Sequence, residues 1–95
     1  MQITFDDTEP EYSGDDHTLC FTARVDGEPV LCEVTLEALL DHYGAASSRA
    51  EDMIGAFGLQ RTRIEAAARR LLIETRARCA VLRSGYVRFY ETHSH

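Results

Sequence analysis

The run Leu19-Cys20-Phe21-Thr22-Ala23-Arg24-Val25, then Asp26-Gly27, then Glu28-Pro29-Val30-Leu31-Cys32-Glu33-Val34 restricts this 95-residue chain more than any other stretch. A two-residue hairpin turn needs positive φ at both positions, and Asp-Gly supplies it at little steric cost. Folding about that pair sets Val25 against Glu28, Ala23 against Val30, Phe21 against Cys32 and Leu19 against Val34. Three of these four pairs are apolar on apolar, so turn chemistry and binary pattern select the same register. Cys20, Thr22 and Arg24 then share the opposite face with Glu33, Leu31 and Pro29, a mixed and wetter surface.

Around this hairpin the rest of the chain divides cleanly. Gln2 to Phe5 alternates as a short strand. Residues 6–18 read as an acidic loop punctuated by Pro10 and Gly14. Its six carboxylates lack the Asp-x-Asp-x-Asp-Gly spacing and distal Glu of a calcium loop. Thr35 is placed to cap a helix through Leu36, Leu39, Leu40 and Tyr43, which Gly44 ends. Ser48-Arg49-Ala50-Glu51 has the form of a capping box before a second helix with Met53, Ile54 and Phe57, stopped at Gly58. Thr62-Arg63-Ile64-Glu65 opens a third and longest helix, with Ile64, Ala67, Ala68, Leu71, Leu72 and Thr75 on one face.

Cys79 to Arg83 and Tyr86 to Tyr90, joined at Ser84-Gly85, read as a second hairpin, and residues 91–95 as a frayed tail. The order β-ββ-ααα-ββ predicts an α+β fold. It consists of a single antiparallel β-sheet with helices packed on one face, and residues 1–95 form one domain.

Several of these stretches resemble a known family. Phe21-Thr22-Ala23-Arg24-Val25-Asp26-Gly27, then Val30, Cys32, Val34-Thr35 and Glu37-Ala38-Leu39, are similar to the small bacterial family catalogued as domain of unknown function 1488. Ile3, Phe5, Ala56-Phe57, Ile64-Glu65 and Ala67-Ala68 agree with the same pattern. The resemblance implies a compact α+β domain of bacterial origin. It supplies no catalytic or binding residues, because the family has no assigned activity.

Charge is distributed unevenly. Residues 1–52 hold thirteen Asp and Glu against two Arg, a balance of −11, and residues 53–95 hold three Glu against eight Arg, a balance of +5. Every basic residue is Arg. Arg61, Arg63, Arg69, Arg70, Arg76 and Arg78 fall on or beside the third helix, with Glu65 set to pair with Arg61 and Arg69, and Glu74 with Arg70. Arg63, Arg69, Arg70, Arg76 and Arg88, with Tyr86 and Tyr90 flanking Arg88 on one strand face, form the candidate interaction surface. That set suits a protein partner or, as the alternative, a nucleic acid read by arginines and stacked aromatics. A net charge of −6 weighs against the second.

Chemistry is sought and not found. No Cys-x-x-Cys, helical His-x-x-x-His, Gly-x-Ser-x-Gly, P-loop or dinucleotide fingerprint is present, so catalytic, cofactor-binding and metal residues are none. Cys79 stands out among the thiols only for its neighbours Arg78 and Arg76. An odd count of three cysteines, two of them on opposite hairpin faces, argues against a disulfide framework and for a reducing cytoplasm. The N-terminus has no signal-peptide pattern and no stretch reaches bilayer length, so no membrane partner is expected. The expectation is a non-enzymatic accessory or regulatory domain that acts by protein contact, with a homodimer as one form of that contact.

Overall fold

A computed structural model describes residues 1–76 and 78–93. The elements are β1 (Ile3–Phe5), β2 (Glu11–Ser13), β3 (Thr18–Val25), β4 (Glu28–Thr35), α1 (Leu36–His42), α2 (Ala50–Leu59), α3 (Arg61–Thr75), β5 (Cys79–Leu82) and α4 (Ser84–His93). The central hairpin has the expected register, Leu19 opposite Val34, Phe21 opposite Cys32, Ala23 opposite Val30 and Val25 opposite Glu28. Its turn residues Asp26 and Gly27 have φ of 53° and 87°. Asp26 also ties down the chain start, accepting from the Gln2 N–H at 2.8 Å through Oδ1 and donating its own N–H to the Gln2 carbonyl.

Gly27→Val tests the turn. An L side chain forced into left-handed backbone costs about 1–2 kcal/mol, and a branched one cannot relax by rotating χ1. Urea unfolding should show that loss at unchanged m-value; equal stability would mean that the turn does not hold the register.

The sheet is mixed, not purely antiparallel. Its order is β1-β3-β4-β5, with β2 pairing β3 beyond β1 on the same edge. β5 runs parallel to β4, Leu31 opposite Cys79 through Val34 opposite Leu82. Three helices intervene between these strands, and α3 returns the chain to the end of the sheet where β4 begins. The connection is therefore a crossover, and a crossover yields a parallel pair. The acidic stretch 6–18 is likewise not all loop, because β2 lies within it.

The expected second hairpin does not form. Ser84-Gly85 starts α4, so there are four helices and Tyr86, Arg88 and Tyr90 lie on a helix. Tyr86, Val87 and Tyr90 fall at i, i+1 and i+4, one helical face; Val87 is wholly buried and both tyrosines pack against the core. Aromatic and branched residues favour strands locally, but apolar surface on α1 outweighs that preference here. α4 continues through His93, so residues 91–93 are helical, and the last two residues of the expected tail lie outside the described ones.

Helix ends follow local chemistry in part. The Thr35 hydroxyl accepts from the Ala38 N–H at 3.1 Å, and Gly44 takes φ of 76° after α1, both as expected. Neither capping box forms. Ser47, one residue early, accepts from the Arg49 N–H and donates to Asp52 at 2.5 Å. α2 runs past Gly58, and only Gln60 separates it from α3.

The core lies between the helices and one sheet face: Leu19, Phe21, Ala23, Val30, Cys32, Val34, Ala80 and Leu82 from the sheet meet Leu39, Met53, Phe57, Ile64, Leu72 and Val87 from the helices. No helix among the described residues is long and apolar enough to cross a membrane.

Candidate functional site

The other sheet face is uncovered. Strand pairing lines up Cys20 with Glu33 and Val81, and Thr22 with Leu31 and Cys79. Leu31 stands 51% exposed at the centre of this face. The charges on it are held within the chain: Arg24 Nε donates to Asp6 at 2.9 Å, and Glu33 accepts from the buried Thr18 hydroxyl at 2.9 Å and from the Cys20 thiol at 3.7 Å. Burial, with Glu33 and Glu11 nearby, raises the Cys20 pKa, and burial pushes Cys32 up to about 11. Both thiols are thus kept protonated and poorly nucleophilic. A shallow cleft of about 280 Å³ opens at one end of the face among Asp16, Thr18, Glu33, Thr35, Val81 and Arg83.

The arginines of α3 are engaged by partners in the same chain, Arg61 half-buried and Arg63, Arg69 and Arg70 exposed. Arg61 Nε donates to Glu65 at 2.8 Å, its two terminal nitrogens reach the Thr8 and Asp6 carbonyls, and its guanidinium sits 5.1 Å over the Phe57 ring. Arg63 bonds Glu91 at 2.6 Å and covers the Tyr43 ring at 5.3 Å. Arg69 does not pair with Glu65; it lies over Phe5 at 5.5 Å and reaches the Ile3 carbonyl. Arg70 pairs with Glu74, as expected. The Tyr86 hydroxyl donates to the same Glu74 at 3.1 Å, and burial together with that bond pushes its pKa up to about 12.

Tyr86 and Tyr90 stack at 6.5 Å between ring centroids, one helical turn apart. Arg88, two residues from each, points elsewhere and is exposed, so the aromatic-arginine strand face is not assembled. Arg76 closes α3 in left-handed backbone at φ 53°. With Arg78 it lines an open cleft of about 460 Å³ beside Val25, Glu28, Pro29 and Val30. Arg76, Arg78, Arg83 and Arg88 have no ion-pair partner among the described residues.

One constellation escaped the sequence. The Ser84 hydroxyl donates to Asp41 at 2.7 Å, and His42 Nε2 lies 3.1 Å from the Ser84 carbonyl and 3.2 Å from its hydroxyl. These are the residue types of a hydrolytic triad, yet the roles differ. A carbonyl only accepts, so Nε2 carries the proton and has no lone pair to take one from the hydroxyl, which is already given to Asp41. Ser84 is also buried. The trio clasps the start of α4 to the end of α1, and an Asp-His pair gives no sequence sign of a serine 42 residues on. Among the described residues no group of three His, Cys, Asp or Glu is placed to hold a metal ion.

The fold defined by these features is α+β, a mixed sheet with helices on one face. The chain belongs to the family described as protein of unknown function (DUF1488), whose sequence profile matches residues 3–82. It is similar to a protein of unknown function of that family from Shewanella loihica PV-4, solved in a crystal structure at 1.60 Å. The two share 22% identity over 87% of this chain and 97% of the other, with a TM-score of 0.69. No curated protein matches the chain.

Proposed function

We propose that this chain is a non-enzymatic accessory or regulatory domain of the cytoplasm that acts by protein contact, and that its uncovered sheet face meets a second copy of itself. The observation that carries this reading is the bare face of the parallel β4–β5 pair with Leu31 half in solvent at its centre. Parallel strands are ordinarily covered on both faces, and here the helices cover one. Thr22 and Cys79 flank Leu31 across the strands, Arg24 is paired with Asp6, and Glu33 is hydrogen-bonded by Thr18, so the centre of the face offers an apolar contact with its nearest polar groups held in place. The Ser84 hydroxyl is given to Asp41, the His42 imidazole is bonded to Ser84, and the Cys32 thiol is buried.

Light scattering on a sizing column should give about twice the 10.7 kDa chain mass, and the mass should persist at high salt because the contact is apolar. Leu31→Asp should yield the monomer with an unchanged circular dichroism spectrum. A wild-type monomer at every concentration would remove the reading. The nucleic-acid alternative keeps one supporting observation, the four unpaired arginines, and is decided by the binding experiment described next.

A further inference from the structure

We propose that the free edge of β5 takes up an extended acidic segment of a partner protein as an additional strand. This goes beyond the face contact, since the edge points sideways from the sheet and stays open in a face-to-face dimer.

β5 ends the strand order β1-β3-β4-β5, and no described strand lies beyond it. The outward N–H and C=O groups of such an edge are a template for another strand. The four residues alternate, Cys79 and Val81 towards the open face, Ala80 and Leu82 into the core. An arginine bounds each end, Arg78 before and Arg83 after, both exposed and both without an ion-pair partner among the described residues. Arg76 joins Arg78 on the cleft of about 460 Å³ at the entry end. Guanidinium groups bind carboxylates through two parallel hydrogen bonds, so both ends favour Asp or Glu on the incoming segment.

The same charges select against the alternatives. Two copies of β5 pairing antiparallel about their centre would set Arg78 of each against Arg83 of the other, and directly opposed like charges destabilise a strand pair. The far edge, β1 and β2, is flanked by Asp6, Asp7, Glu9 and Glu11, so an acidic segment is repelled there and steered to β5. A nucleic acid would meet a chain of net charge −6 and an edge without an aromatic platform.

The test is a nitrogen-15 NMR titration of the whole chain with a short synthetic peptide of alternating Val and Thr bounded by paired Asp residues. At low salt, amide shifts should concentrate on Cys79–Leu82. Arg78→Glu with Arg83→Glu should weaken binding by roughly tenfold or more, with the Gln pair as the milder variant should the Glu pair fail to fold. A proline at the peptide centre should abolish binding, because it removes a ladder hydrogen bond. The Leu31→Asp monomer should bind normally, which separates failure of this inference from failure of the dimer. Absence of shifts at millimolar peptide, equal binding of the proline peptide, or tighter binding of an oligothymidylate would each overturn it.

Discussion

Replacing Phe57 with alanine is expected to remove about 3–5 kcal/mol of folding free energy, the range for deleting a fully buried aromatic ring. Against a total of about 5–15 kcal/mol for a domain of this kind, that is a fifth of the margin at the least. The position justifies the upper range. Phe57 is fully buried, its ring centroid is 5.1 Å from that of Phe21, and Phe21 in turn lies 6.2 Å from Phe5. This row links α2 to β3 and β1, so the vacated space borders three elements that do not move independently. Arg61 rests over the same ring, and truncation takes away its platform as well. Urea unfolding of Phe57→Ala beside Phe57→Leu measures the effect. The leucine variant refills most of the volume and should recover more than half of the loss. A deficit under about 1 kcal/mol for alanine would show that the site collapses freely and that the core is centred elsewhere.

The parts of the fold that were legible in the sequence are those where local and non-local demands agree. At Asp26-Gly27 the turn residues, the alternation of Phe21, Ala23, Val30 and Cys32, and the buried face all ask for one register, and it is the one observed. At Thr35 the cap and the following apolar residues agree as well. They conflict after residue 83. Tyr86 to Tyr90 has the composition of a strand, and Ser84-Gly85 that of a turn, while the spacing of Tyr86, Val87 and Tyr90 also fits a helix. The choice was made by α1 and by the Ser84–Asp41 and Ser84–His42 contacts, which span more than forty residues and leave no local trace. The parallel pairing of β5 was hidden for a similar reason: strand direction depends on where α3 delivers the chain, not on residues 79–82 themselves.

The same limit explains the arginines. Spacing correctly paired Arg61 with Glu65 and Arg70 with Glu74, since both partners are side chains one helical turn away. It could not show that Arg61 and Arg69 also end on backbone carbonyls of Asp6, Thr8 and Ile3, because a carbonyl acceptor has no residue identity. Arg63, Arg69 and Arg70 are therefore occupied within the chain, and the unpaired charge collects instead at Arg76, Arg78, Arg83 and Arg88. Rather than a stripe along α3, Arg76, Arg78 and Arg83 place basic charge at the two ends of β5, and Arg88 stands apart on α4. β1 and β2, with Asp6, Asp7, Glu9 and Glu11 beside them, form one edge of the sheet, and Arg78 and Arg83 bound the strand at the other.

Arg61→Ala is expected to cost about 2 kcal/mol, and to cost it locally. Hydrogen bonds to a charged group contribute roughly 1.5–3 kcal/mol when well sheltered, and the side chain here is about a quarter exposed, so the lower part of that range applies. The guanidinium holds three acceptors at once, Glu65 at 2.8 Å, the Thr8 carbonyl at 2.9 Å and the Asp6 carbonyl at 2.6 Å. Two of these lie in the acidic stretch, where repulsion among Asp6, Asp7 and Glu9 works against an ordered path. Without Arg61 that stretch should open ahead of the rest, freeing β2 from β3. Hydrogen exchange should quicken at Tyr12 and Ser13 while the central hairpin stays protected. Arg61→Lys decides whether shape or charge matters. An ammonium keeps the charge but lacks the planar fork that spans three acceptors, so it should recover less than half of the loss. Wild-type stability and exchange in the lysine variant would show that a bare positive charge suffices, and the strap across Asp6 and Thr8 would then have no structural weight.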